Sequence, residues 1–192
     1  MNKSLLTLCL DFNSKLGSNG VASLCRGLRT NSTLKKLSLK HCSIDGTGGI
    51  SLGEMLSFPR LALKTLDLTG NSLRAAGLIS LCPGLSQNAS LSCLLLSDNN
   101  ILSENADVNA LQSLAEVMAI HKSLTKVEML HNPIGSAGGV ALLKTLGSQN
   151  MRLSSFKIDT NMDNDLYKAV FRTVSNLKKK KGGGKKKSKK KK

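Results

Sequence analysis

Leu63-Lys64-Thr65-Leu66-Asp67-Leu68-Thr69-Gly70-Asn71 carries the spacing that decides the fold. Three leucines stand at the first, fourth and sixth positions, and an asparagine follows three residues later. The same frame reads Leu34-x-x-Leu37-x-Leu39-x-x-Cys42 before this stretch. After it come Leu91-x-x-Leu94-x-Leu96-x-x-Asn99 and Leu124-x-x-Val127-x-Met129-x-x-Asn132. Weaker copies flank these, from Leu5 to Asn13 and from Leu153 through Phe156 and Ile158 to Asn161. The leading leucines are separated by 29, 29, 28, 33 and 29 residues. A period of this length with a constant internal spacing marks a one-dimensional stack of identical units.

Each unit reads as strand, turn and helix. Leu66 and Leu68 alternate at strand period, and Asn71 falls where the chain turns and its backbone needs side-chain partners. Leu73 and Gly77 lead into Leu78, Leu81 and Leu85 at helical spacing, and Asn88 closes the helix. Ile44, Gly48, Gly49, Leu52 and Leu56 repeat the pattern, as do Ile134, Gly135, Gly138, Leu142, Leu143 and Leu146. No unit can bury its apolar side alone, so the units stack with strands on the inner curve and helices outside.

The unit L-x-x-L-x-L-x-x-N-x-L/I-x-x-x-G-x-x-x-L, over residues 5–161, resembles the ribonuclease-inhibitor-type leucine-rich repeats. The resemblance implies an α/β solenoid of about six repeats, a curved parallel sheet inside and helices outside. It also implies protein binding through the concave sheet and its rim loops, with neither catalysis nor a cofactor. Ran GTPase activators of this family carry an acidic tail, whereas this tail is basic. NOD-like receptors carry an upstream nucleotide-binding domain, and no P-loop G-x-x-x-x-G-K-S/T occurs here. A short repeat body with a lysine tail is most similar to the cytoskeletal and flagellar adaptors of the family. That points to the cytoplasm, at the cytoskeleton or flagellum, with the nucleus as the alternative.

Three parts are expected: a solenoid over 1–161, a C-terminal capping helix over 162–177 and a disordered polylysine tail over 178–192. Asp163, Asn164 and Asp165 look like a helix start. Leu166, Val170, Val174 and Leu177 follow as an apolar stripe, with Tyr167 and Phe171 expected to pack on the core. No such cap precedes Leu5, so the first repeat needs cover from a partner, a second copy or a longer chain. An insertion at 103–109 reads as a surface loop.

The net charge of +16 is an uneven average. Removing the eleven tail lysines leaves +5 on residues 1–177. The start, MNKSLLTLCLDFN, alternates like a strand, carries Asp11 and offers no secretory signal. No apolar run reaches the roughly 18 residues of a membrane span, and neither end carries a lipidation motif. Cys9, Cys25, Cys42, Cys82 and Cys93 are odd in number and fall within the repeat frame, which points to reduced thiols.

The frame assigns the concave face by column. Cys9, Ser38, Asp67, Leu95, Glu128 and Lys157 share one column; Asp11, Lys40, Thr69, Ser97, Leu130 and Asp159 share the next. Phe12, His41, Gly70, Asp98, His131 and Thr160 form the third. Neighbours in a column stand about 4.8 Å apart, which brings Glu128 to Lys157 and Asp98 to His131. Phe12, His41, Asp67, Leu95, Asp98, Glu128, Leu130 and His131 are therefore the candidate protein-binding residues, with Phe12, His41, Leu95, Leu130 and His131 as anchors. Ser97, Asp98 and His131 mimic a nucleophilic triad, but consecutive strand residues diverge and no oxyanion hole accompanies them. Residues 105–116 mimic a calcium loop, yet Asn105 opens it and Ala110 stands where that loop needs glycine. The glycosylation sequons at Asn31 and Asn88 are products of the repeat frame.

The tail concentrates Lys178, Lys179, Lys180, Lys181, Lys185, Lys186, Lys187, Lys189, Lys190, Lys191 and Lys192 around Gly182-Gly-Gly184. Such a run repels itself and stays disordered. Its partner is an acidic surface: tubulin tails, nucleic acid or anionic lipid. Lysines without interleaved aromatics attract charge without stacking on bases, which argues against sequence-specific nucleic-acid recognition. Three functions fit this reading: a cytoskeletal adaptor, a nuclear or ribosome- and RNA-associated factor, and a regulator of a partner enzyme.

Overall fold

The computed structural model describes residues 2–146 and 152–171. Strands and helices alternate along it: β1 (Thr7–Cys9), α1 (Gly17–Leu28), β2 (Lys36–Ser38), α2 (Gly46–Leu56), β3 (Thr65–Asp67) and α3 (Arg74–Gln87). Then follow β4 (Cys93–Leu95), α4 (Asn105–Ile120), β5 (Lys126–Glu128), α5 (Gly135–Leu146) and β6 (Ser155–Lys157). Residues 164–171 are also helical. The strands form one all-parallel sheet in chain order, β1 to β6. This is the leucine-rich repeat solenoid that the period implies.

The register shows why the leucines recur. Leu8, Leu37, Leu66, Leu94, Val127 and Phe156 stand in line across the sheet, and Leu37, Leu66, Leu94 and Val127 are wholly buried. Strands sit about 4.8 Å apart, whereas packed helices need about 8–10 Å. That mismatch puts the sheet on the inside of the curve. Helices α2 and α3 meet through glycine. A Cβ on Gly84 would lie 1.9 Å from the Gly53 carbonyl oxygen, and one on Gly53 2.2 Å from that of Ser80.

The asparagines tie the turns of successive repeats. Asn71 Oδ1 accepts from the N–H groups of Cys42 and Ile44, both at 3.0 Å, and Nδ2 donates to the carbonyls of Leu39 and Leu68, both at 2.8 Å. Asn132 does the same for Asn99, Ile101, Leu96 and Met129. Cys42 takes this place in its own repeat, and its thiol donates to the Leu10 and Lys40 carbonyls. A second ladder stands where helices end. Asn88 Oδ1 accepts from Ser90 and Leu91, and Nδ2 donates to the Leu56 carbonyl of the repeat before. His121 replaces it one repeat later: Nδ1 accepts from Ser123 and Leu124, while the buried Nε2 has no hydrogen-bond partner.

The two ends of the described stack differ. At β1, Leu5 and Leu6 are exposed, and Leu8, Leu10, Leu16 and Leu24 are only partly covered. At the other end, Asp163 accepts from the N–H groups of Asp165 and Leu166, opening the helical residues 164–171. Leu166 and Met162 lie against Gly139, and Val170 is buried. Tyr167 is half-buried against the core, but Phe171 is exposed, stacks on Tyr167 and borders a small apolar pocket with Phe156, Ile158 and Val170. The expected core packing thus holds for one of the two rings. Val174, Leu177 and the lysine tail lie outside the described residues.

Candidate protein-binding surface

Strand register places Cys9, Ser38, Asp67, Leu95, Glu128 and Lys157 in one line. The ladder continues one step further: the N–H groups of Phe12, His41, Gly70 and Asp98 donate to the carbonyls of Lys40, Thr69, Ser97 and Leu130. There the chain leaves the sheet with a left-handed residue in five successive repeats: Phe12 (φ 62°), His41 (49°), Gly70 (71°), Asp98 (54°) and His131 (59°). For a residue with a Cβ this conformation costs about 1–2 kcal/mol, met here by the ladder hydrogen bonds on either side. The repeating twist builds a rim that presents the third column to solvent.

Phe12 is 75% exposed at the corner of that rim. The exposed His41 ring stacks on it at 5.0 Å, nearly parallel, and also lies over Gly70. A Cβ on Gly70 would come within 2.1 Å of the imidazole. The glycine therefore makes room for the ring that Phe12 covers on its other face. Asp98 and His131 are also exposed, but they do not meet. The His131 N–H donates to the Asp159 carboxylate, and no hydrogen bond or ion pair joins His131 to Asp98 among the described residues. The expected Asp98–His131 pair is thus absent, because both residues have already turned out of the sheet.

Charges on the face are tied together. Glu128 meets Lys157 at 2.6 Å, as the column predicts, and Lys126 at 3.1 Å. Burial pushes the Glu128 carboxyl up, and hydrogen bonds and charge from the two lysines outweigh it, holding the group below its ordinary range. Asp67 pairs with Lys40 at 3.4 Å and accepts from the Thr69 N–H. Its side chain is only 4% exposed. Asp67 is therefore a poor candidate contact, since it is spent inside the protein. Burial likewise pushes Asp11 up, but hydrogen bonds from the Ser38 side chain and the Lys40 N–H leave it lowered.

Leu95 and Leu130 are half-buried. The face thus carries an apolar pair near Glu128 and its lysines, with an aromatic stack toward the β1 edge. Such a mixed surface suits contact with another folded protein. Sequence reasoning missed Lys40 and Lys126, which fix the two acids, and the left-handed rim. Gly70 in the third column was the available signal for that rim. Among the described residues, Ser97, Asp98 and His131 form no hydrogen-bonded relay. Nor does any cluster of three or more His, Cys, Asp or Glu side chains there offer a metal site. No helix among the described residues is long and apolar enough to cross a membrane.

Comparisons with known proteins agree with this geometry. A family model described as "Leucine Rich repeat" matches residues 30–53, 63–82 and 121–143. NACHT, LRR and PYD domains-containing protein 12 of Mus musculus is 35% identical over 71% of this chain. Ribonuclease inhibitor of Mus musculus is 29% identical over 77% of it. The chain spans only 12% of the first relative's length and 32% of the second's. Among solved structures, that of Leiomodin-1 Actin-Binding Site 2 superposes with a TM-score of 0.59 at 12% identity. That match covers 94% of this chain and 85% of the other. The C-terminal domain of Caenorhabditis elegans tropomodulin superposes with a TM-score of 0.57 at 11% identity, covering 94% and 89%. The repeat frame, the asparagine ladder and these relatives lead to one assignment: the chain is a leucine-rich repeat protein of the ribonuclease-inhibitor type.

Proposed function

We propose that this protein is a non-enzymatic adaptor whose concave sheet holds one protein partner while its lysine tail fastens the complex to an acidic surface of the cytoskeleton. The supporting observation is the Phe12–His41 stack, a largely exposed aromatic held in a left-handed backbone on the rim of the sheet. Exposed rings held rigidly are typical anchors of protein interfaces. Leu95 and Leu130 supply apolar contact, and Glu128 with its lysines sets the register of the partner. The tail then supplies a salt-sensitive attraction to anionic polymers.

Filaments with acidic surfaces, actin and tubulin, are the first partners to test. One structural neighbour is named for an actin-binding site, which motivates actin. Co-sedimentation of the full chain and of a chain ending at Leu177 with each filament, at low and high salt, separates tail from body. The proposal expects filament binding that vanishes with the tail and with salt. Filament binding that persists in the shortened chain at high salt overturns that division of labour. A second reading, regulation of one partner enzyme, is supported by the ribonuclease-inhibitor relatives. It expects a stoichiometric partner on residues 1–177 that inhibits or activates on binding.

A further inference from the structure

The edge of the solenoid where helices hand over to strands carries a row of cations. Arg29, Lys35, Arg60, Lys64 and Lys122 stand on this edge, just after a helix or just before a strand, and Lys36 opens β2 beside them. None of the six makes an ion pair among the described residues, whereas Lys40, Lys126 and Lys157 on the concave side are all paired. Helix ends account for part of this, since each helix C-terminus carries about half a negative charge. Helices α1 to α4 thus supply about two negative charges, and Glu54 one more, leaving about three positive charges in excess.

The cations are contiguous at the first two junctions. The Lys64 N–H donates to the Lys35 carbonyl at 2.7 Å, so the two chains run side by side there. The Arg29 guanidinium lies 5.8 Å from the centre of the Phe58 ring, and Phe58 leads through Pro59 to Arg60. A groove of about 380 Å³ opens between α1 and α2 at this point. Arg26, Arg29 and Glu54 line it together with Ala22, Cys25 and Phe58. It stays open because α1 lacks the glycine-to-backbone contacts that draw α3 onto α2.

We propose that this edge docks an acidic protein segment, its carboxylates on Lys35, Lys36 and Lys64 and an apolar side chain beside Phe58 in the α1–α2 groove. The mixed lining of the groove favours a peptide. Guanidinium groups stand beside apolar walls, which matches a carboxylate next to an aliphatic side chain. A nucleic acid would use the charge and leave the apolar wall idle. The Phe58 ring of the groove is already covered by Arg29, so it offers no free platform for a base. The docking edge uses none of the candidate residues of the concave face, and borders that face at Lys36, which stands in register with Lys126.

The test uses the full chain and a fluorescein-labelled dodecapeptide of Glu, Asp and Leu, read by anisotropy. One variant carries Lys35→Gln, Lys36→Gln and Lys64→Gln; its control carries Lys185→Gln, Lys186→Gln and Lys187→Gln, an equal loss of charge. The edge variant should bind about tenfold more weakly, near 1.4 kcal/mol, while the control changes little. Carbodiimide coupling followed by peptide mapping should join probe carboxylates to Lys35, Lys36 or Lys64. All six sites are exposed or lie in the tail, and matching circular dichroism melts confirm that the variants fold. Equal weakening of both variants, with coupling confined to Lys178–Lys192, overturns the proposal. A uridine oligonucleotide that displaces the peptide from the edge lysines at lower concentration overturns it in favour of nucleic acid.

Discussion

Replacing Asn71 with alanine should be among the most damaging single changes in the protein. The side chain makes four buried hydrogen bonds to backbone groups, two accepted and two donated, three of them reaching the preceding repeat and one the Leu68 carbonyl of its own. Alanine leaves the N–H groups of Cys42 and Ile44 without their acceptor in a site from which water is excluded. Each stranded donor costs about 1–3 kcal/mol, so the pair alone gives about 4 kcal/mol. The two carbonyls are less costly to strand, because a carbonyl tolerates partial satisfaction better than an N–H. For a protein of this size 1 kcal/mol moves the melting temperature by about 2–4 °C, so Asn71→Ala should melt about 10 °C lower. Asn71→Cys should fall between wild type and alanine, since a thiol donates as Cys42 does but accepts poorly. Asn19→Ala, on an exposed position of α1, is the control and should not lower the melt. Circular dichroism melts and urea titrations read the series. A loss of less than about 2 °C for Asn71→Ala would refute the ladder as a stabilising device and imply that water replaces the amide.

Three further outcomes are expected. Gly84→Ala gains about 1 kcal/mol of helix propensity, but its Cβ would collide with the Gly53 carbonyl oxygen; α2 and α3 must part, and urea titration should show a net loss of about 1–3 kcal/mol. His121 is held neutral by burial, so its pKa lies below the ordinary 6.5 of the unfolded chain. The stability it confers is complete above pH 6.5 and is lost as pH falls from there toward the folded pKa; urea midpoints of wild type should drop across that window, and those of His121→Asn should drop less. Burial pushes the thiols of Cys25 and Cys82 up to about 12, so a thiol reagent at pH 8 should modify exposed Cys9 first and reach these two only on unfolding.

The strand frame, most of the helices and the exchange of Cys42 for asparagine were legible, because each rests on a side chain recurring at a fixed offset; the insertion read as a surface loop instead winds residues 105–109 into the start of α4 and buries Asp107. The Glu128–Lys157 pair was legible for the same reason: both lie in the first column, where the sheet still sets the spacing. One column further the sheet no longer sets the spacing. Phe12, His41, Asp98 and His131 are not one residue type, and a left-handed turn is a property of the backbone that Gly70 alone hinted at. Asp67 looked available because strand residues alternate between faces. Its partner Lys40 comes from the preceding repeat, two positions past the first column, and the pairing buries the acid. His121 in the asparagine position was equally hidden, since an imidazole and a carboxamide look alike only to the two N–H groups they accept.

The central claim, that the concave sheet is the binding surface, is tested most directly by affinity capture at high salt with four forms of the protein. These are the full chain, the chain ending at Leu177, and full chains carrying Phe12→Ser or Leu130→Glu. The account predicts one partner, stoichiometric and retained by the first two forms, that is lost from both concave-face variants while their melts stay unchanged. A partner that leaves with the tail and remains on Phe12→Ser and Leu130→Glu would contradict it.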